Sequence, residues 1–179
     1  MKKCLVVVDY QNDFVTGSLG FPGAEVIGPA IAARIQKARA DGEDVVFTLD
    51  THGPDYLDSH EGRHLPVAHC VHGTDGWQIA SPVAGEIRDE DLRLEKDTFG
   101  SRDLFEHLRR EGYDAVELCG LVTDICVSTN AALARTALPE ADIVVDADLT
   151  ASADPEKFRS ALDVLRSLHV DVLHQDAAG

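Results

Sequence analysis

The sequence has no apolar run of membrane-spanning length, no cluster of lysine and arginine, no internal repeat and no low-complexity tract. Its first apolar stretch, "MKKCLVVVDY", is interrupted by Asp9 well short of a signal-peptide core or a membrane span. Basic residues are few, 16 against 32 acidic ones, for a formal net charge of -16. Charge of that sign and spread cannot follow a phosphate backbone, so nucleic acid and membrane are not expected as partners. A cytoplasmic protein is expected. The four cysteines, Cys4, Cys70, Cys119 and Cys126, lack the paired spacing of a zinc ribbon, and a chain of 179 residues buries enough core to fold without disulfides. All four are expected as thiols. No break in composition divides the chain, and residues 1–179 read as one domain.

What is present is an alternation of short valine-rich runs with helical periods. Cys4 to Val8 reads as a strand buried on both faces, and Val26, Ile27, Ala30, Ile31 and Ile35 recur at helical spacing up to a stop at Gly42. Further strands are expected at Asp44 to Leu49, Leu92 to Glu95, Val116 to Val122, Ile143 to Val145 and Val170 to Leu173. Helices are expected at Asp103 to Glu111, Asp124 to Ala137 and Pro155 to Leu168. Strands alternating with helices imply an α/β fold with a mainly parallel sheet covered on both faces. Thr51 to Gly76 has no sustained period and carries five of the eight histidines, and a loop of that length in a compact domain is usually functional or disordered.

In an open parallel sheet ligands bind at the carboxyl ends of the strands. The first strand ends in Asp9, the second in Asp50 and His52, the third in Lys96, and the fourth runs on to Cys126. Each alone has a structural explanation, a turn cap for Asp9 or Asp50 and a solvated end for Lys96, but their coincidence at one sheet edge points to a site. Cys126 falls in the first turn of a helix that Thr123 or Asp124 can cap, where free N–H groups lower a thiol pKa and hold an oxyanion. Cys4 and Cys119 lie within strands and are assigned to packing. Asp50 and His52, two residues apart in extended chain, point to one side and can share a metal. His60, Glu61, His64, His69 and His72 are available as further ligands from the loop. Such mixed ligation suits Zn²⁺, with Mn²⁺ or Fe²⁺ as alternatives.

The segments "VVVDYQNDF", "DTH", "HCVHGTDGW", "EKDTFGS" and "GLVTDICV" stand in the order found in the isochorismatase-like cysteine hydrolases, and with its D-x-H the chain resembles the nicotinamidases among them. The resemblance runs from Lys3 to about Asp148. It implies a three-layer sandwich with a six-stranded parallel sheet and a catalytic set of Asp9, Lys96 and Cys126. It also implies metal ligation by Asp50, His52 and His69, with Glu61 as fourth ligand and His60 as the alternative. A cis peptide between Leu121 and Val122 would turn the N–H groups of Val122 and Cys126 toward an oxyanion. The activity implied is hydrolysis of nicotinamide to nicotinate and ammonia through a thioester.

One departure stands out, since the family's nicotinamidases place a stacking Trp in the metal loop where this chain reads "LPVAHC", with Pro66 at that place. Phe14 and Phe99 remain as ring contacts, with Trp77 as a further candidate. Hydrolysis of another small amide or ureido compound is therefore the alternative. Two more distant readings are disfavoured: metal storage needs no nucleophile, and vinyl-ether hydrolysis of the isochorismatase kind uses neither Cys126 nor the D-x-H. The partner expected is a small-molecule amide, and assembly into a homo-oligomer is left open.

Overall fold

The structure is a computed structural model that describes residues 1–174. Its frame is a sheet of six parallel strands: β1 (Lys3–Val8), β2 (Asp44–Asp50), β3 (Leu92–Lys96), β4 (Ala115–Leu121), β5 (Asp142–Ala151) and β6 (Asp171–Leu173). Their order across the sheet is β3-β2-β1-β4-β5-β6. The direction of winding therefore reverses between β1 and β4, and a cleft opens there at the carboxyl ends.

Alternation within each strand divides the core in two. Cys4, Val6 and Val8 face one side of the sheet, where α4 (Arg102–Glu111), α5 (Ser128–Ala137) and α6 (Pro155–Ser167) pack through Leu104, Leu108, Ala131, Leu162 and Leu165. Leu5 and Val7 face the other, where α2 (Gly28–Ala40) contributes Ile31, Ile35 and Ala38. Strands apolar on both faces are what a sheet between two helical layers requires.

The helix limits follow local chemistry. Ser101 accepts the N–H of Leu104 to open α4, and Gly112, at φ 64°, closes it in the left-handed region. Asp154 caps α6 through the N–H groups of Glu156 and Lys157, with Pro155 in the first turn. The short α1 (Asn12–Val15) follows β1, and α3 (His60–His64) lies inside the long loop, opened by the Ser59 hydroxyl.

Four expectations need correction. α2 begins at Gly28 rather than Val26, because Pro29 sets the first turn and Val26 is 77% exposed. β5 continues to Ala151 rather than ending at Val145. Its short neighbour β6 covers only Val144 to Asp146, and beyond it Asp148 points outward between buried Ala147 and Leu149. The helix expected from Asp124 opens instead as a widened π turn over Thr123–Val127 before α5. Neither Thr123 nor Asp124 caps it: the Thr123 hydroxyl pairs with Thr150 at 2.7 Å, and Asp124 accepts the Ser152 hydroxyl.

Candidate active site

β1 leaves the sheet at Asp9, whose φ of 46° turns its fully buried carboxylate into the cleft. β4 approaches closely at that point because Gly120, at φ 107°, has no side chain; a Cβ there would strike the Val8 carbonyl. The Leu121–Val122 peptide is cis, and the π turn that follows places Cys126 at the cleft floor. Asn130, one turn on, donates to the carbonyls of Cys126 (2.8 Å) and Phe99 (3.1 Å) and accepts the N–H of Ser101, tying α5 to the turn before α4.

Lys96, at the end of β3, connects the groups. Its Nζ lies 2.7 Å from Asp9 Oδ2, 3.2 Å from Asp50 Oδ1 and 3.6 Å from Cys126 Sγ, and donates to the Thr98 carbonyl at 2.9 Å. Thr48 donates to the other Asp9 oxygen at 2.7 Å. Burial opposes a charged lysine, yet Asp9, Cys126 and Asp50 hold the ammonium firmly protonated. Asp9 is raised above the ordinary carboxylate value by burial, with Lys96 pulling it down and Asp50 adding to the rise. The Cys126 thiol is pushed well above its ordinary value by burial and then by Asp9, which outweigh Lys96. Where a helix end would lower a thiol pKa, burial and Asp9 act here in the opposite direction.

The metal-type residues gather beside this set. Asp50 Oδ2 lies 2.9 Å from His52 Nε2 and 3.2 Å from His69 Nε2, and Glu61 Oε1 lies 3.8 and 3.7 Å from the same two nitrogens. The His69 Nδ1 faces the Val67 carbonyl at 2.8 Å, an outer contact that leaves Nε2 for the cluster. Tyr56 packs on both imidazoles, tilted against His52 and edge-on to His69 with ring centroids at 4.6 and 4.8 Å, and the ends of the loop are pinned by a bridge between His52 and Val71. Burial opposes the charge on Asp50, but hydrogen bonds from His52 and His69, with Lys96, hold its carboxylate far below the usual range. Two imidazole nitrogens and the Asp50 carboxylate, all buried and within 4.8 Å of one another, fit a divalent cation, which would take the place of the shared protons, with Glu61 at the edge of the group facing both imidazoles.

The other loop histidines lie apart. His60 stacks on His64 at 4.5 Å on the outer side of α3, and His72 packs against Trp77 near Glu95. Trp77 does not line the cavity: its indole N–H donates to Thr51, bracing the end of β2. The cavity, about 220 Å³, has Cys126 and Val122 on one side, Asp50, Glu61 and His69 on another, and Phe14 and Phe99 among its apolar walls. Thr48 and Asn130 escaped the sequence reading. A polar residue inside the apolar run "DVVFTLD" was the available signal for the first, and spacing one turn beyond Cys126 for the second.

A parallel sheet with a cysteine-bearing turn at its switch point and a carboxylate and ammonium beside the thiol defines a hydrolase of the three-layer α/β class. A model described as the isochorismatase domain matches residues 3–177, so the chain belongs to the isochorismatase family. It is similar to the nicotinamidase/pyrazinamidase of Mycobacterium tuberculosis, 30% identical over 192 residues covering 96% of this chain and 98% of that one. Among solved structures, the pyrazinamidase of Pyrococcus horikoshii in complex with zinc superposes with a TM-score of 0.85 at 25% identity, covering 97% and 99% of the two chains. N-carbamoylsarcosine amidase from Thermoplasma acidophilum does so at 0.81 and 32% identity, covering 98% of each chain.

Proposed function

We propose that the protein is a metal-dependent cysteine amidohydrolase that converts nicotinamide to nicotinate and ammonia through a thioester. The observation that carries this reading is the contact of Lys96 with Asp9 and Cys126 at 2.7 and 3.6 Å, beside a cavity walled by aromatic rings and a metal-type cluster.

Asp9 takes the thiol proton of Cys126, both groups being in contact with the Lys96 ammonium. The transfer moves one negative charge from Asp9 to sulfur while the Lys96 ammonium stays between them, so the buried site keeps its net charge throughout. The thiolate attacks the amide carbon, and the N–H groups of Val122 and Cys126 face the developing oxyanion. Collapse breaks the C–N bond, Asp9 returns its proton to the departing ammonia, and a thioester to Cys126 remains. Water, deprotonated by Asp9, then cleaves the thioester to the acid and restores the thiol. Phe14 and Phe99 flank the ring. Asp50, His52 and His69, with Glu61, would hold a divalent ion, most simply Zn²⁺, with Mn²⁺ or Fe²⁺ as alternatives, and its chemistry there is Lewis-acid capture of a ring nitrogen.

Pro66 in place of a stacking aromatic, together with the similarity to N-carbamoylsarcosine amidase, supports a second reading in which a ureido or other small amide is preferred. Ammonia release from nicotinamide, beside a panel of carboxamides and ureido acids and with and without prior chelation, tests both. Nicotinamide turnover at least tenfold above the panel and lost on chelation is the expected result. Ureido turnover above nicotinamide would select the second reading, and no ammonia from any amide would overturn both.

A further inference from the structure

Asp50 is the joint of the site, since one carboxylate oxygen meets Lys96 and the other meets both imidazoles. Its backbone needs a partner that the sheet does not provide. β1 and β2 pair as far as Val8 and Thr48, after which Asp9 turns β1 out of the sheet. At the end of β2, the Thr51 N–H bonds toward β3 through the Lys96 carbonyl, so the N–H and C=O of Asp50 point the other way, into the place β1 has vacated.

Gln11 fills that place. Its side chain is fully buried, its Oε1 accepts the Asp50 N–H at 2.7 Å, and its Nε2 donates to the Asp50 carbonyl at 2.8 Å and to the Trp77 carbonyl at 2.8 Å. Both amide hydrogens and the amide oxygen are engaged, in the pattern a neighbouring strand would make. We propose that Gln11 is a positioning residue whose side-chain amide substitutes for the missing strand and fixes Asp50, and through it both the imidazole pair and Lys96. The proposal rests on the reading of Asp50, His52 and His69 as metal ligands and of Cys126 as nucleophile.

Gln11→Glu keeps the acceptor for the Asp50 N–H but sets an oxygen against two carbonyls, and Gln11→Met keeps length and volume with no hydrogen bond. Either folded variant serves, Gln11→Met if the charged one fails to fold. Three readouts separate positioning from support of the fold: Zn²⁺ affinity by chelator competition, the visible spectrum of the Co²⁺-loaded protein, and the alkylation rate of Cys126 by iodoacetamide in metal-free protein. We expect Zn²⁺ binding weakened about tenfold or more, a displaced Co²⁺ ligand-field band, and alkylation slowed about threefold, because Lys96 loses its Asp50 anchor beside the sulfur. A folded variant with Zn²⁺ affinity, spectrum and alkylation rate of the wild type would overturn the proposal. If the wild type itself binds no Zn²⁺, the metal reading fails separately, and the alkylation rate alone decides the role of Gln11.

Discussion

Lys96 reaches Asp9 at 2.7 Å although β2 lies between the strands that carry them. The lysine crosses the end of β2, where it also meets Asp50, and so links three strand ends with one ammonium. Removing that cation leaves Asp9 with Thr48 alone and Asp50 with its two imidazoles.

Lys96→Met is therefore expected to lower kcat by about a hundredfold or more while the protein still folds. Asp9 already sits above the usual carboxylate value because burial and Asp50 outweigh the pull of Lys96. Without Lys96 its pKa rises further, so activity, which needs the ionised carboxylate, is lost at a higher pH on acidification. The kcat profile across pH checks this, and near-normal kcat with an unmoved acid limb would remove Lys96 from the catalytic set.

Iodoacetamide is expected to modify Cys126 before Cys4, Cys70 or Cys119. All four are buried thiols, but only Cys126 lines the cavity. Because its pKa is raised, the rate should climb as pH increases above neutrality, and a saturating amide or acid product should slow it. Peptide mapping after single labelling decides the order. Inactivation with Cys126 untouched is the contrary result.

His52→Ala and His69→Ala should fold normally and retain little metal, with kcat/KM for nicotinamide reduced by about a hundredfold or more. His60→Ala, on the outer side of α3 against His64, should match the wild type. Metal content measured beside kcat/KM gives the answer, and full activity in verified metal-free protein would leave the cluster with no part in catalysis.

Away from the site, Arg39 grips both oxygens of Asp91 at 2.9 and 2.6 Å, and the Arg88 N–H donates to the same carboxylate. Burial opposes the charge, but the arginine fork outweighs it and holds Asp91 below the ordinary value of 3.8. A depressed carboxylate stabilises the fold above its unfolded pKa and loses that contribution as pH falls through the folded one. Asp91→Asn should thus cost about 1–3 kcal/mol at neutral pH, and the difference should shrink below pH 3.8. Denaturant unfolding at both pH values measures it, and a difference unchanged on acidification would show that the ion pair is not its source.

Much of this architecture was legible because parallel strands buried on both faces have few alternatives. Leu92 and Leu94 alternate inward in β3 with Arg93 and Glu95 outward, as the sequence suggests. The far half of β5 was not legible, since Asp146 and Asp148 resemble a turn until the shortness of β6 is known. The strand ends named Asp9, Asp50, His52, Lys96 and Cys126 because each is a chemically costly residue at a place the fold makes available. The direction of the Cys126 shift was not legible: a local rule about helix ends competes with burial, and burial is a property of the whole chain. Thr48, Gln11 and Asn130 were hidden for a related reason, being amides and hydroxyls whose significance lies only in their partners.

The bridge from His52 to Val71 closes the histidine loop upon itself. Glu61, Leu65 and His69 reach the cavity from inside that closed segment, whereas Asp9, Lys96 and Cys126 all lie outside it. The proposed reactive trio and the loop's share of the cavity wall are thus separable pieces of chain, while Phe14 and Phe99 line the cavity from outside the loop. A segment of different length could be grafted between the same two anchor points at small entropic cost. Such exchange would reshape the wall that Glu61, Leu65 and His69 supply while Asp9, Lys96 and Cys126 keep their places, so one side of the cavity is open to redesign by loop transplantation.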